Sequence, residues 1–354
     1  MSKKIITLFK VIVLSVGMIF VFKLVSNIIS NDEKNSKIEY ESGDTLYGFV
    51  MGTSVSVTLY HDDINNQFAS VLDEIKMLDE KYISWRNEES ELNNINSEYV
   101  SSQEYVLSDI LYDAISLSLD VCSNSQGALD ITIRPIADVW NIEGADSDSF
   151  VVPDMSLVES ASKNVGYEKL SLTDEGIVIK QESMVIDLGA TGKGYALDIV
   201  KNWLEANEIK GACVSVGGSI LVYGNKDDNT PWKVGIRDPQ GDASQMLGYL
   251  EFSSGTDICI STSGYYEKYF MVDGIRYHHI IDRNTGMPAD AGLASVTVVC
   301  ENGLYSDALS TACFVLGYEA SIALLDKYNA EAVFVDKDNN IVLTDGLTDI
   351  FVTE

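Results

Sequence analysis

The chain is short of cysteine, of histidine and of positive charge, and each shortage removes a class of function. Its five cysteines, Cys122, Cys213, Cys259, Cys300 and Cys313, are odd in number and form no Cys-x-x-Cys pair. A zinc cage or a paired disulfide framework is therefore excluded as the organising element. Three of them lie in apolar runs and read as small buried hydrophobes. Only His61, His278 and His279 are available to a histidine-dependent mechanism. Bases number 24 against 54 acids, for a net charge of −30. Four of those bases, Lys3, Lys4, Lys10 and Lys23, stand in the first 31 positions, where there is no acid, leaving 20 bases against 54 acids in the remainder. So acidic a body argues against nucleic acid and anionic membrane surfaces as partners. A phosphorylated ligand would need local help from lysine, backbone dipoles or a divalent cation. There is no internal repeat and no low-complexity tract.

What is present is a globular composition, 354 residues with 46% hydrophobic content, enough for one large domain or two ordinary ones. Ile5 to Ile29 is apolar apart from a few polar residues, Lys10 and Lys23, and its clean centre, Val11 to Phe22, matches the length of a signal-peptide core. No alanine precedes Ala69, so an Ala-x-Ala cleavage site is missing, and the two lysines can snorkel from the ends of a span of roughly 20 residues. The reading favours an uncleaved signal anchor over residues 1–30, with Lys3 and Lys4 cytoplasmic and the body facing outward. No cysteine precedes Cys122, so N-terminal lipidation is not expected. Residues 31–44 read as a polar linker and 45–354 as the folded body.

Within that body, the stretch Phe49 to Tyr60 alternates from Ser54 onward like a half-buried strand, with Met51-Gly-Thr53 as a tight turn or bulge. Phe68, Val71, Leu72, Ile75 and Leu78 mark a helix behind the capping candidates Asp62 and Asp63, and Ser84 to Asn96 reads as a polar loop. Leu107 to Ala114 predicts another helix, ending near Gly127. Gly127 to Pro135 reads as an apolar strand holding Asp130, which either binds a ligand hydroxyl or amine or bonds to its own turn. A short helix over 158–165 and a hairpin over 170–179 lead to a run, Met184 to Leu188, that predicts a strand. It enters a glycine-rich turn, Gly189-Ala-Thr-Gly-Lys-Gly194, and a helix running to Gly211. Such a turn either lets the backbone and Lys193 approach an anion or solves a packing problem. It matches neither a P-loop, since Gly194 replaces Ser or Thr after Lys193, nor a dinucleotide fingerprint, since the third glycine is missing.

Two later segments carry chemistry. Arg276 to Gly286 predicts a strand ending in a turn, in which His278 and His279 face opposite ways. Ser306 to Gly317 predicts a helix capped by Ser306. Its Asp307 and Thr311, four apart, project from one face and either bind a hard cation or serve the helix dipole and packing. Helices interspersed with hairpin-linked strands make the fold class α+β, a single large domain with mixed sheets and flanking helices.

Seven segments in order resemble the FAD:protein FMN transferase (ApbE) family: Met51-Gly-Thr53; Gly127-Ala-Leu-Asp-Ile-Thr132; Asp187 to Gly194; Val216-Gly-Gly218; Ile260 to Gly264 with Tyr269-Phe270; His279-Ile-Ile-Asp282 with Thr285-Gly286; and Ser306 to Thr311. They cover residues 47 to 320. The resemblance implies transfer of FMN from FAD to a Ser or Thr hydroxyl of a partner protein, with release of AMP. It implies that Met51, Trp85, Ala128, Leu129, Asp130, Asp187, Lys193 and Ile281 contact FAD, that the Ala190 carbonyl, Asp307 and Thr311 hold Mg2+, and that His279 is the base. By the same analogy the acceptor is a membrane-associated redox subunit or FMN-binding domain outside the cytoplasmic membrane. Three positions depart from the family's pattern: Arg283 for proline, Ser219 for aspartate and Trp85 for tyrosine. Hydrolysis of FAD to FMN and AMP, or flavin binding without catalysis, are the competing functions.

Overall fold

Val55, Val57 and Leu59 are buried while Ser54, Ser56 and Thr58 are exposed or half-covered, the period-two pattern of a strand with one face in the core. In chain order the hairpin β1 (Thr45–Val50) and β2 (Thr53–Tyr60) leads to α1 (Gln67–Leu78), a π-helical turn (Asp79–Ile83) and α2 (Glu91–Glu98). Next come β3 (Glu104–Val106), α3 (Asp109–Asn124), α4 (Arg134–Trp140), α5 (Met155–Ser162) and the hairpin of β4 (Leu170–Leu172) and β5 (Gly176–Ile179). Helix α6 (Gly192–Ala206) precedes β6 (Gly211–Val216), β7 (Ser219–Gly224), β8 (Trp232–Arg237), β9 (Met246–Phe252) and β10 (Ile258–Gly264). Two small ladders, β11 (Tyr269–Val272) with β12 (Ile275–His278) and β13 (Ile281–Asp282) with β14 (Met287–Pro288), lead into β15 (Leu293–Cys300). The chain closes with α7 (Gly303–Leu316), α8 (Tyr318–Lys327), β16 (Glu331–Asp336), β17 (Ile341–Leu343) and β18 (Phe351–Thr353). The structure, a computed structural model, describes residues 41–353 apart from 63, 65–66, 99–102, 146–149, 175, 180 and 243. The expected anchor over 1–30 lies outside the described residues, among which no helix is long and apolar enough to cross a membrane.

Eight strands form the central sheet in the order β1-β2-β6-β7-β10-β15-β16-β17. The α+β class holds; the sheets, expected to be mixed, are antiparallel throughout the described residues. All eight residues of β15 are buried, so both faces of the sheet centre are covered. One face packs Val222, Ile260, Val299 and Val333 against Trp232, Leu250 and Phe252 of the small β18-β9-β8 sheet. The other carries α7 on β10 and β15. That second contact is a seam of hydroxyls: Ser261 bonds Ser219 at 3.0 Å and Ser306 at 2.8 Å, and Ser263 bonds Ser310 at 2.8 Å and Thr311 at 3.0 Å. All five cysteines are free, and four are buried.

Several elements differ from expectation for local reasons. Gly127 to Pro135 is not a strand: Asp130 takes the Thr132 N–H at 2.8 Å and closes a turn, after which α4 starts with Pro135 in its first turn, where no N–H is missed. Met184 to Leu188 is extended without a ladder; Ile186 bonds the Asn96 side chain and the Asp187 N–H reaches the Ile131 carbonyl at 2.7 Å. The second half of the polar stretch 84–96 is helical. Helix α1 begins at Gln67; Asp62 pairs instead with Lys210 at 2.8 Å, and Asp63 lies outside the described residues. Helix α7 is capped by Asn302, which accepts from the Tyr305 N–H at 2.8 Å, not by Ser306. Asp198 of α6 takes two more N–H groups of that helix start, from Gly303 and Leu304.

Helices α6 and α7 cross where both lack a side chain. A Cβ on Gly194 would stand 2.0 Å from the Gly303 carbonyl, and one on Gly303 would stand 2.3 Å from that of Gly194. Backbone is touching backbone, so Gly194→Ala has to part the helices. Overpacking of this kind costs about 1–3 kcal/mol or more, and the expected result is a clear fall in thermal midpoint; an unchanged melt would refute the contact.

Candidate active site

The crossing of α6 and α7 brings Gly194 onto Asp307. The buried Asp307 carboxylate takes the Gly194 N–H at 3.0 Å, and the Lys193 ammonium lies 3.4 Å from it while donating to the Gly189 carbonyl at 3.0 Å. Met51 sits over the same helix start, in the turn between β1 and β2 with φ 55°. Its Cε would be 3.5 Å from a Cβ on Gly192, and a Cβ on Gly217 would meet both Thr53 and the Lys193 stem. Glycine here leaves room between three chain segments, and the helix start supplies N–H groups for an anion.

The Lys193 ammonium stands between a carbonyl and a carboxylate. Thr311 follows Asp307 by one helical turn on α7, and Ala190 lies in the same turn as Gly189. Carbonyl, carboxylate and hydroxyl oxygens fit a hard divalent ion, and a single carboxylate suits magnesium, which keeps waters and shares substrate phosphates. Among the described residues no three His, Cys, Asp or Glu side chains gather to hold a metal by themselves.

Of the three histidines only one is placed for chemistry. His61 follows the end of β2 opposite Thr53, roughly 25 Å away at strand rise. His278 is buried against Phe314 with Nε2 3.0 Å from the Ala289 carbonyl. His279 lies just past the end of β12 rather than in it, and is half-buried. Its N–H donates to the Lys268 carbonyl at 3.1 Å, and Nδ1 faces the same oxygen at 3.3 Å. That contact assigns the ring proton to Nδ1 and leaves Nε2 basic.

Burial pulls both His278 and His279 down to about 4, helped for His279 by the Lys268 charge. The unfolded value is near 6.5, so between pH 6.5 and 4 the unfolded chain binds protons that the folded chain does not. Their stability contribution is present above 6.5 and lost as pH falls through 4. Asp198, pushed up to about 6 by burial, acts in the opposite sense, so the effect is read as a difference. The stability advantage of wild type over His278→Gln is expected to shrink from pH 6.5 to 4 in denaturant titrations; a constant difference would remove the assignment.

Between these two centres runs a charged row. Asp187 takes the Gly189 N–H at 2.8 Å and faces Arg134 at 3.6 Å; burial nonetheless raises its pKa. Arg134 also pairs with Asp138, and with Glu143 at 3.2 Å. Its guanidinium lies 3.8 Å over the Trp85 ring, with Arg86 4.2 Å from the same ring. Glu143 binds Arg86 at 3.0 Å and Lys268 at 2.6 Å, reaching the loop whose carbonyl holds His279. Asp307, Lys193, Asp187, Trp85 and His279 are thus linked by one chain of contacts.

Other expected contacts are not presented to it. Ala128 and Leu129 are buried, and Ile281 belongs to the core cluster of Ile136, Trp140 and Val158. Asp130 is fully engaged, by Thr132, by the Tyr167 N–H at 3.1 Å and by Arg283 at 2.6 Å. Its bond to its own turn is the contact the residue type favours. Arg283 is held further by Glu168 at 2.9 Å and fills the space left at Gly127. Its turn still closes, with the Gly286 N–H on the Asp282 carbonyl at 2.8 Å. Ser219 is buried and bonded to Ser261. Sequence reasoning missed Arg134, Glu143 and Lys268; the Arg134 and Asp138 spacing was the one local signal, and nothing local marks Lys268.

The ApbE family model matches residues 51–334. A curated FAD:protein FMN transferase of Treponema pallidum is 31% identical over 319 residues, covering 85% of this chain and 86% of that protein. One from Vibrio cholerae is 28% identical, covering 83% and 88%. Among solved structures, the ApbE protein of Thermotoga maritima superposes with a TM-score of 0.77 at 30% identity, covering 87% of this chain and 98% of that one. The apo flavinyl transferase ApbE of Pseudomonas stutzeri gives 0.74 at 25% identity, covering 87% and 96%.

Proposed function

The chain belongs to the ApbE family, and from that premise we propose that it is an FAD:protein FMN transferase, moving FMN from FAD to a Ser or Thr hydroxyl of a partner protein. A phosphoester forms, the diphosphate bridge of FAD breaks, and AMP leaves. The observation that carries this reading is the meeting of Asp307, Lys193 and the start of α6 at one point, joined by a chain of charged contacts to the residue that holds the His279 ring. Phosphoryl transfer asks chiefly for positioning and charge neutralisation, and on so acidic a body Lys193 and the N–H groups at the start of α6 supply the positive field. The nucleophile belongs to the acceptor.

The Ala190 carbonyl, Asp307 and Thr311 would hold Mg2+, which when bound neutralises phosphate charge. Lys193 then orients the anionic substrate, and Met51 closes over the helix start. Trp85 offers a planar partner to the flavin, held by Arg134 and Arg86. His279 takes the acceptor hydroxyl proton at Nε2, while the Lys268 carbonyl keeps the other nitrogen protonated. Negative charge on a bound dinucleotide favours the imidazolium and so strengthens this base.

The apolar N-terminal stretch supports an uncleaved membrane anchor, with the body outside the cytoplasmic membrane and membrane-associated redox subunits as acceptors. The deciding experiment incubates residues 31–354, linker and body, with FAD, magnesium and an FMN-acceptor domain, and reads the acceptor by mass. An FMN adduct surviving denaturation is expected. Free FMN appearing at a rate indifferent to acceptor would make it a hydrolase, and FAD binding without AMP release a carrier.

A further inference from the structure

Glu143 belongs to no motif, yet three cations converge on it. It lies three residues beyond α4, where Asn141 adopts a left-handed φ of 48° and turns the chain back. Its side chain is 28% exposed and binds Arg86 at 3.0 Å, Arg134 at 3.2 Å and Lys268 at 2.6 Å. The first two cations are those stacked on Trp85, and Arg134 also faces Asp187. The third belongs to the residue whose carbonyl receives the His279 N–H and faces Nδ1. One carboxylate therefore ties the aromatic side of the site to its imidazole, across 125 residues of sequence.

We propose that Glu143 is a positioning residue for flavin transfer, holding Lys268 so that its carbonyl fixes the His279 ring, and holding Arg134 and Arg86 so that Trp85 and Asp187 keep their places. This rests on the transferase reading for its consequence, but its geometry is independent of turnover. The charged groups facing His279 are Lys268, Glu143 and His278, and those facing Glu143 are Arg86, Arg134, Lys268, Asp187 and His279. Lys268 disfavours the imidazolium and Glu143 favours it.

The test uses the full chain with Glu143→Gln, which keeps a hydrogen-bonding amide, and Lys268→Met, read by His279 proton titration in NMR and by transfer kinetics. Glu143→Gln is expected to move the His279 midpoint below its wild-type value and Lys268→Met to move it above. For Glu143→Gln, kcat should fall about tenfold or more, as small misplacements of a reacting group do, and KM for FAD should rise. The opposite shifts report that both charges face the ring, and the positioning role is read from kcat and KM, which a merely structural role leaves unchanged in the folded fraction. Unmoved titrations, whatever the rates, overturn the proposal, as does a shift with wild-type kcat and KM. Failure of the wild-type chain to transfer flavin at all counts against the transferase reading and leaves the titration result to decide the network.

Discussion

Asp307→Ala is expected to abolish flavin transfer and, with it, any response to magnesium. The carboxylate is buried and has two partners in the structure, the Gly194 N–H and the Lys193 ammonium. Removing one well-placed electrostatic group from such a site lowers rates by about 10²–10³, and here the same group would also be the only charged ligand of the ion. Alanine leaves the Gly194 N–H buried without an acceptor, at about 1–3 kcal/mol. Asp307→Asn separates the two effects. Its amide oxygen still accepts from Gly194, so the melt should stay near wild type while transfer is lost. Equal transfer by the Asn variant and wild type would refute a charge-based role, and a magnesium response surviving in the Ala variant would move the ion elsewhere.

His279→Ala should bind FAD with little change yet transfer FMN about 10²–10⁴-fold more slowly, the range for loss of a general base. The residue is half-buried and its one assigned bond is to the Lys268 carbonyl, so the loss of stability should be modest. Flavin fluorescence quenching would report binding and acceptor mass the transfer. His278→Ala is the contrast: that ring packs on Phe314 inside the fold, so its removal should lower the melting point and spare the rate of the folded fraction. Wild-type transfer by the His279 variant would leave the acceptor proton without an assigned base.

The parts of the site legible in the sequence were those built from local spacing. Asp307 and Thr311 share a face because four residues make about one turn, and Gly192 to Gly194 begin a helix because apolar residues recur behind them. Element ends were harder. Ser306 looked like a cap because it precedes an acid and an apolar run, but Asn302 has the side chain at the right place, and Asp198 from another helix completes the work. The runs 129–133 and 184–188 have strand composition, yet side chains of Asp130 and Asn96 take up their hydrogen bonds before a ladder can form. Glu143 with Lys268, and Asp130 with Arg283, were invisible because their partners are brought together only by the finished fold, 125 and 153 residues apart.

The hydroxyl seam under α7 bears on how the helix keeps its place along the sheet. In an oily contact, a helix sliding by one turn exchanges one methyl for another at modest loss. Here a slide would break the bonds of Ser306 to Ser261 and of Ser310 and Thr311 to Ser263 together, stranding buried hydroxyls that each need a partner. Directional bonds therefore act as detents. They hold Asp307 and Thr311 at one height on the sheet, so where this half of the site stands is set by strand β10 and not by whatever ligand arrives.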